Sequence, residues 1–420
     1  MRDDIVGGTT TFLSMAYIIV VNPAILAAAG IPIGPSTVAT ILTASFGTFL
    51  MGVYARRPIA VAPYMGENAF IAFGLAAFGI TWQQRLGAVF ISGAIFLIIT
   101  LLGVRTWLAD AISPSMKYSF AAGIGLFLTF IGLYETGIVT SAKGVPVQIG
   151  NLRSTPALLA VLGFVVTAAL LHRRVKGAIL IGMVVTAAAG LLLGQGELPK
   201  AVVALPYDLS PIALKLDIAS TLRLSFLPIL LTLFLMSLLD TLGTLVGVGA
   251  AAGMLDERGN FPEMQKPMLV DALSCMFSGL VGTSTSGAYI ESATGIREGA
   301  RTGLASIVTA SLFLVSLFFI PLFEPLQTLR FAYAPPLMVV GMLMLPSVAK
   351  IAFDDLTELV PAFTTIAVMV FTYNIANGLT AGLLLHPLMK VLAGRIREVR
   401  AGGWALAALC AIYYTFGLPH

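Results

Sequence analysis

The chain has 420 residues, of which 58% are apolar and only 10% charged, with a net charge of +4. Soluble domains carry about 25% charged residues, so this much apolar surface calls for lipid as the solvent. The small net charge gives no reason to expect a nucleic-acid partner, and the apolar runs extend too far along the chain for a soluble domain on a single anchor.

A spanning helix needs roughly 20 mostly apolar residues. Apolar runs and their polar breaks predict seven spans at 9–29, 35–54, 62–79, 83–103, 116–135, 156–172 and 177–194. After a long, more polar link, seven more follow at 223–248, 266–281, 286–297, 302–320, 332–350, 359–373 and 377–393. The expected class is an all-α polytopic membrane protein with 14 transmembrane segments. The first run is too long for a secretory signal and lacks a small-residue cleavage site, so the chain is expected to start almost inside its first span. The segment 403–417 is shorter, and Trp404, Tyr413 and Tyr414 suit an interfacial helix.

Placing the N-terminus in the cytoplasm sorts seventeen Lys and Arg residues to the inner side, Arg56, Arg57, Arg105, Arg173, Arg174 and Arg258 among them. Seven fall outside: Arg85, Lys143, Arg153, Lys200, Lys215, Arg223 and Arg330. That is the bias of a multi-pass protein of the inner (plasma) membrane with a cytoplasmic N-terminus.

Two spans are unlike the rest. Residues 57–70 (RPIAVAPYMGENAF) carry two prolines and a glycine, and residues 279–293 are rich in Gly, Ser and Thr. Proline removes a backbone donor, and small β-prone residues suit a short extended piece, so each first half is expected to be a short β-strand. Extended backbone at membrane depth is tolerated only when buried in protein or lining a cavity. Each stretch then enters a half-helix with a matching core, Glu67-Asn68-Ala69 and Glu291-Ser292-Ala293. These are the third spans of the two sets, and because seven is odd the sets run in opposite directions. The pattern is that of an inverted repeat, whose broken helices meet at a site near the midplane.

Acids inside spans cost on the order of 3 kcal/mol and mark pathways. Three are clearly intramembrane: Glu67, Asp240 and Glu291. Asp240 is read as a proton acceptor or as an acceptor for a donor on a substrate. Alternatively it caps a neighbouring backbone break, since Thr241, Gly243 and Thr244 permit close helix packing. Glu291, near the start of its half-helix, either caps that helix or holds an N–H edge of a ligand, while the backbone of Thr285, Ser286, Gly287 and Ala288 meets a ligand carbonyl. Glu67 either faces the same cavity or pairs with Arg56 or Arg57, and Asn68 offers an amide beside it. Glu135 and Asp271, nearer span ends, are read as structural; Asp110, Asp256, Glu257, Glu298, Asp354 and Glu358 fall in loops or at span ends.

Cys275 and Cys410 lack metal-ligand spacing, and His172, His386 and His420 lie at span ends or the terminus. With no catalytic constellation, metal set or phosphate loop in the sequence, neither an enzyme nor a cofactor is expected. An ion gradient then supplies the energy, and buried carboxylates suit protons.

Five stretches resemble the nucleobase–cation symporter-2 family, in its AzgA-like branch of adenine, guanine and hypoxanthine permeases. They are residues 11–23 (TFLSMAYIIVVNP), 61–70 (VAPYMGENAF), 238–247 (LLDTLGTLVG), 282–304 (GTSTSGAYIESATGIREGARTGL) and, more weakly, 373–378 (YNIANG). The resemblance runs the length of the chain. It implies a seven-plus-seven inverted fold, with a core domain from residues 1–112 and 220–322 and a gate domain from 113–196 and 323–420. It further implies elevator-like transport of a purine nucleobase, with Asp240 and Glu291 as the two acids of the site and as its proton-coupling groups. Homodimers are common on this fold. The chain departs from the family pattern at Ser237, where an Asp is usual, and at Glu67, where an apolar residue is usual. An anion transporter on the same fold would call for positive potential where this chain has acids, and a uniporter or channel would leave those acids without a task.

Overall fold

In a computed structural model, residues 1–75, 78–104, 107, 111–254 and 263–416 are described. Arg105, Asp110, Asp256, Glu257, Arg258 and His420, and the side chain of Tyr413, lie outside them. The helices of the first half are α1 (Arg2–Met15), α2 (Ile18–Ala27), α3 (Ile33–Val53), α4 (Met65–Ala69), α5 (Trp82–Leu101), α6 (Pro114–Glu135), α7 (Thr155–His172) and α8 (Ala178–Leu192). The second half has α9 (Ile218–Thr221), α10 (Leu227–Ala252), α11 (Gln265–Val281), α12 (Ser292–Arg297), α13 (Gly303–Ser316), α14 (Ile320–Thr328), α15 (Arg330–Tyr333), α16 (Pro335–Met344), α17 (Leu356–Phe371), α18 (Ile375–Leu392) and α19 (Ala401–Phe416).

Among the described residues, nine helical stretches are long and apolar enough to cross a membrane; Ala178–Leu192, Leu356–Phe371 and Ala401–Ala411 are shorter apolar helices. Large apolar side chains such as Leu158, Val165, Phe363 and Phe371 stand on the outer surface, where lipid solvates them. Helices inside lipid gain little from hydrophobicity alone and rely on close backbone approach at small residues. Gly52 of α3 lies against Gly303 of α13, and Gly125 of α6 against Gly341 of α16, where an added Cβ on Gly303 or Gly341 would strike the partner's carbonyl oxygen. Besides α13, α3 packs on α2 and α11; α5 packs on α10 and α11, whereas α6 packs on α16 and α17.

Both irregular spans break as their composition requires. β1 (Val61–Pro63) leads into α4 and a π-helical turn at Phe70–Gly74, and β4 (Ser286–Ala288) leads into α12. The two strands pair antiparallel, Val61 opposite Ala288 and Pro63 opposite Ser286, so each satisfies backbone groups that lipid could not. A hairpin of β2 (Val139–Ala142) and β3 (Val145–Ile149) also lies between α6 and α7. Its Lys143-Gly144 turn places Gly144 at φ 90°, a cue in a stretch the sequence reading leaves as a link. α19 covers the described part of the 403–417 segment, burying Leu406 and Cys410 and leaving Trp404 exposed.

Candidate functional site

The antiparallel crossing of β1 and β4 brings the two half-helices together. The Tyr64 N–H donates to the Thr285 carbonyl and the Tyr289 N–H to the Ala60 carbonyl, each at 2.9 Å, extending the ladder beyond both strands. Thr48 clamps β1 from the side, bonding both the amide and the carbonyl of Val61 at 2.9 Å. Gly287 has to be glycine, because a Cβ there would collide with the Tyr64 hydroxyl.

Glu67 is fully buried on α4. Its Oε2 accepts hydrogen bonds from the hydroxyls of Ser237 (3.1 Å) and Thr285, tying α4 to α10 and to the approach to β4. It therefore sits inside the crossing and not on Arg56 or Arg57; Arg57 lies 3.9 Å from Glu263. The two positions where the sequence departs from the family pattern, 67 and 237, are thus in contact. Oε1 of Glu67 and Oδ1 of Asn68 are buried with no hydrogen-bond partner among the described residues. Such acceptors are costly to leave unmade and mark a place for a donor. The Asn68 amide is turned the other way, donating to the Asn22 carbonyl at 3.4 Å.

Asp240, on α10, lies within electrostatic range of Glu67, is partly exposed, and makes no hydrogen bond among the described residues. The backbone-capping alternative therefore has no contact to support it. Glu291 is also partly exposed and occupies the N-cap position of α12, but its side chain makes no capping bond. Its Oε1 instead accepts from the Tyr17 hydroxyl at 2.8 Å, across from the break between α1 and α2.

The residues of β4 do something other than the sequence suggests. The Ser286 hydroxyl is taken by Ser274 (2.7 Å) and Ser278 (2.9 Å) of α11. The Ala288 N–H donates to Asp271 at 3.1 Å, the Thr285 hydroxyl is held by Glu67, and the Thr285 carbonyl by Tyr64. Of the backbone expected to meet a ligand carbonyl, the Ala288 N–H and the Thr285 carbonyl are thus spent on holding the strand, because an edge within a membrane must be satisfied internally. Asp271 owes its structural role to that strand. What stays open around the crossing is Glu67 Oε1, Asn68 Oδ1, Asp240 and Glu291.

Sequence reasoning missed the neutral scaffold. Asn22 donates to Thr40 (2.7 Å) and Thr283 (2.8 Å) and accepts from Ser284 (3.0 Å), knitting α2, α3 and the approach to β4. Tyr64 bonds Thr241 at 3.0 Å and lies nearly parallel to Tyr289, ring centroids 6.4 Å apart. Arg85, expected in an outer loop, is buried in α5, where Nη1 donates to the carbonyls of Ile71 (2.7 Å) and Ala72 (3.0 Å). It caps the open end of the Glu67 half-helix. Among the described residues, no three His, Cys, Asp or Glu side chains group as a metal site.

Comparisons place this geometry among known proteins. The profile of the xanthine/uracil permeases, described as a permease family, matches residues 2–380. The adenine permease AdeQ of Escherichia coli is 39% identical over 413 residues, 98% of this chain and 92% of that protein. The guanine/hypoxanthine permease PbuG of Bacillus subtilis is 39% identical over 427 residues, covering 99% and 96%. Among solved structures, the transmembrane domain of the cyanobacterial bicarbonate transporter BicA superposes with a TM-score of 0.67 at 17% identity, covering 91% of this chain and 97% of that one, which is likeness of fold alone. The chain therefore belongs to the xanthine/uracil permease family, as a multi-pass membrane permease and not an enzyme.

Proposed function

We propose that the protein takes up purine nucleobases of the adenine, guanine and hypoxanthine class, driven by protons. The observation that carries the reading is the acceptor-rich crossing. Two buried, unpartnered oxygens, on Glu67 and Asn68, lie in one half-helix, and Glu67 is within electrostatic range of Asp240. A purine presents N–H donors along its edge, and acceptors fixed in a dry site discriminate strongly for such a ligand because leaving them unpaired is expensive. An anion would meet repulsion from the same acids. Relatives named as adenine and guanine/hypoxanthine permeases, similar along nearly the whole chain, support the same class.

Asp240 and Glu291 are the proton-coupling groups in this reading, since both are accessible acids on separate elements. The mechanism is an elevator-like sliding of a core (residues 1–112 and 220–322) against a gate (113–196 and 323–420). The packing of α3 and α5 on α13, α10 and α11, apart from that of α6 on α16 and α17, supports such a division. The fourteen spans are the nine long helical stretches, α8, α11, α17 and the two strand–half-helix segments. The chain sits in the cell membrane, N-terminus inside, and pairs as a homodimer.

The test is uptake of radiolabelled hypoxanthine, guanine, adenine and uracil into cells lacking their own permeases, with and without a protonophore, for wild type, Glu291→Gln and Asp240→Asn. Purine accumulation that collapses with the protonophore and with either substitution is expected. Purine uptake indifferent to the protonophore points to a uniporter; accumulation of an anion and of no base overturns the reading.

A further inference from the structure

A cavity of about 380 Å³ lies away from the four open acceptors, at the end of α2 remote from Met1. Its volume falls in the range of about 300–1,000 Å³ typical of small-molecule sites, and its walls mix apolar side chains with convergent polar groups. One wall comes from α2, α3 and Gln327 of α14, the other from Ile131 and Glu135 of α6 with Arg330, Tyr333 and Leu337.

Gln327 is 2% exposed. Its Nε2 donates to the Ile19 carbonyl at 2.9 Å and to the Thr37 hydroxyl at 2.8 Å, while Thr37 spends its own proton on the Ile33 carbonyl. The amide cannot be turned over, because neither partner has a proton to give. Its Oε1 is therefore fixed as an acceptor, and it is buried with no partner among the described residues. Across the cavity, Glu135 is neutralised, with Arg330 Nε at 3.5 Å and the Tyr333 hydroxyl donating at 3.2 Å. A site with balanced charge, a fixed acceptor and the rings of Phe73 and Tyr333 suits a neutral, planar, N–H-bearing heterocycle. Phe73 lies in the π-helical turn that continues α4, so the cavity abuts the segment carrying Glu67 and Asn68.

We propose that this cavity is a second, peripheral subsite for the transported nucleobase, occupied before the base reaches the acids. The inference rests on the purine reading above. It is tested with the full chain in lipid nanodiscs by equilibrium binding of radiolabelled hypoxanthine, guanine and adenine. The expected result is two bases per chain. Ala28→Trp, which fills the cavity from its exposed rim, should leave one. Glu135→Gln should weaken that same class tenfold or more, and Asp240→Asn should remove only the other class. Should Ala28→Trp fail to fold, Glu135→Gln decides, and an unchanged second class in that variant overturns the subsite. A single base per wild-type chain, insensitive to Ala28→Trp, overturns the subsite and leaves the purine reading standing. No bound purine at all overturns both.

Discussion

Glu67 has one carboxylate oxygen saturated by two hydroxyls and the other without a donor, and this division makes it testable. Replacing it with Leu removes the acceptor for Ser237 and Thr285 at once and leaves two buried hydroxyls unmatched, at about 1–3 kcal/mol each. Glu67→Leu should therefore lower thermal stability in detergent as well as abolish uptake. Glu67→Gln, which keeps one acceptor, should fold nearly as well and lose uptake selectively. Unchanged uptake in Glu67→Gln would mean that the free oxygen has no ligand. Tyr17→Phe asks a separate question, since it removes a single bond to a carboxylate, worth about 1.5–3 kcal/mol. Its uptake KM should rise about tenfold with little change in the melting temperature; an unchanged KM would remove Glu291 from the binding step. At this scale the acids were legible because a charge within an apolar run has no inexpensive explanation. Tyr17, Tyr64 and Asn22 were not, because a tyrosine or a lone asparagine in such a run reads equally well as packing. The bonds of the Ser286 hydroxyl and the Ala288 N–H to α11 were not legible, because spacing along a strand does not reveal which of its groups face a neighbouring helix.

The half-helices of the crossing are too short to be stable alone, so their ends are held from outside. Arg85 supplies this for α4 through two carbonyls, and Asn374, the N-cap of α18, adds a bond to the Gly74 carbonyl at 3.1 Å. Arg85→Met should cost several kcal/mol, at about 1.5–3 kcal/mol for each charge-assisted bond, and Arg85→Lys should fall between it and wild type. Thermal melting of the purified chain with uptake KM measures both; Lys behaving as Met would show that the guanidinium fork is required. A second element is fastened by charge. At the start of α17, Asp355 is bonded by the Thr357 hydroxyl at 2.7 Å and by Arg395 at 2.7 Å, which hold its carboxyl well below the usual range. A carboxyl lowered in the folded state stabilises it above the unfolded value of about 3.9, and that contribution fades as pH falls below it. The melting temperature should therefore drop below about pH 4, and Asp355→Asn should start lower at neutral pH and fall less. Parallel curves for the two proteins would remove Asp355 as the cause. The broken spans were readable in advance because proline and glycine exclude a continuous helix. The β2–β3 hairpin and the Arg85 cap were not, one being a short exposed ladder and the other depending on a contact between separate spans.

Across the whole molecule, the proposed inverted arrangement carries a prediction about sidedness. Counting the β1–α4 segment as a crossing, α6 ends on the face opposite Met1, so the β2–β3 hairpin lies there, and α7 returns the chain to the turn at residues 173–177. The loop-charge bias, seventeen against seven, predicts that turn inside the cell. Both native cysteines are buried, so single cysteines can be read against a quiet background. In intact cells Ser141→Cys should react with a membrane-impermeant maleimide, whereas Arg174→Cys should react only after permeabilisation. The reverse pattern would invert the chain and place the cavity beside Gln327 on the cytoplasmic side, turning an entry subsite into an exit. Labelling of both positions from one side would mean that α7 does not complete a crossing. The seven-plus-seven count would then fail, and with it the antiparallel relation that lets two broken spans meet and face one another across a single substrate.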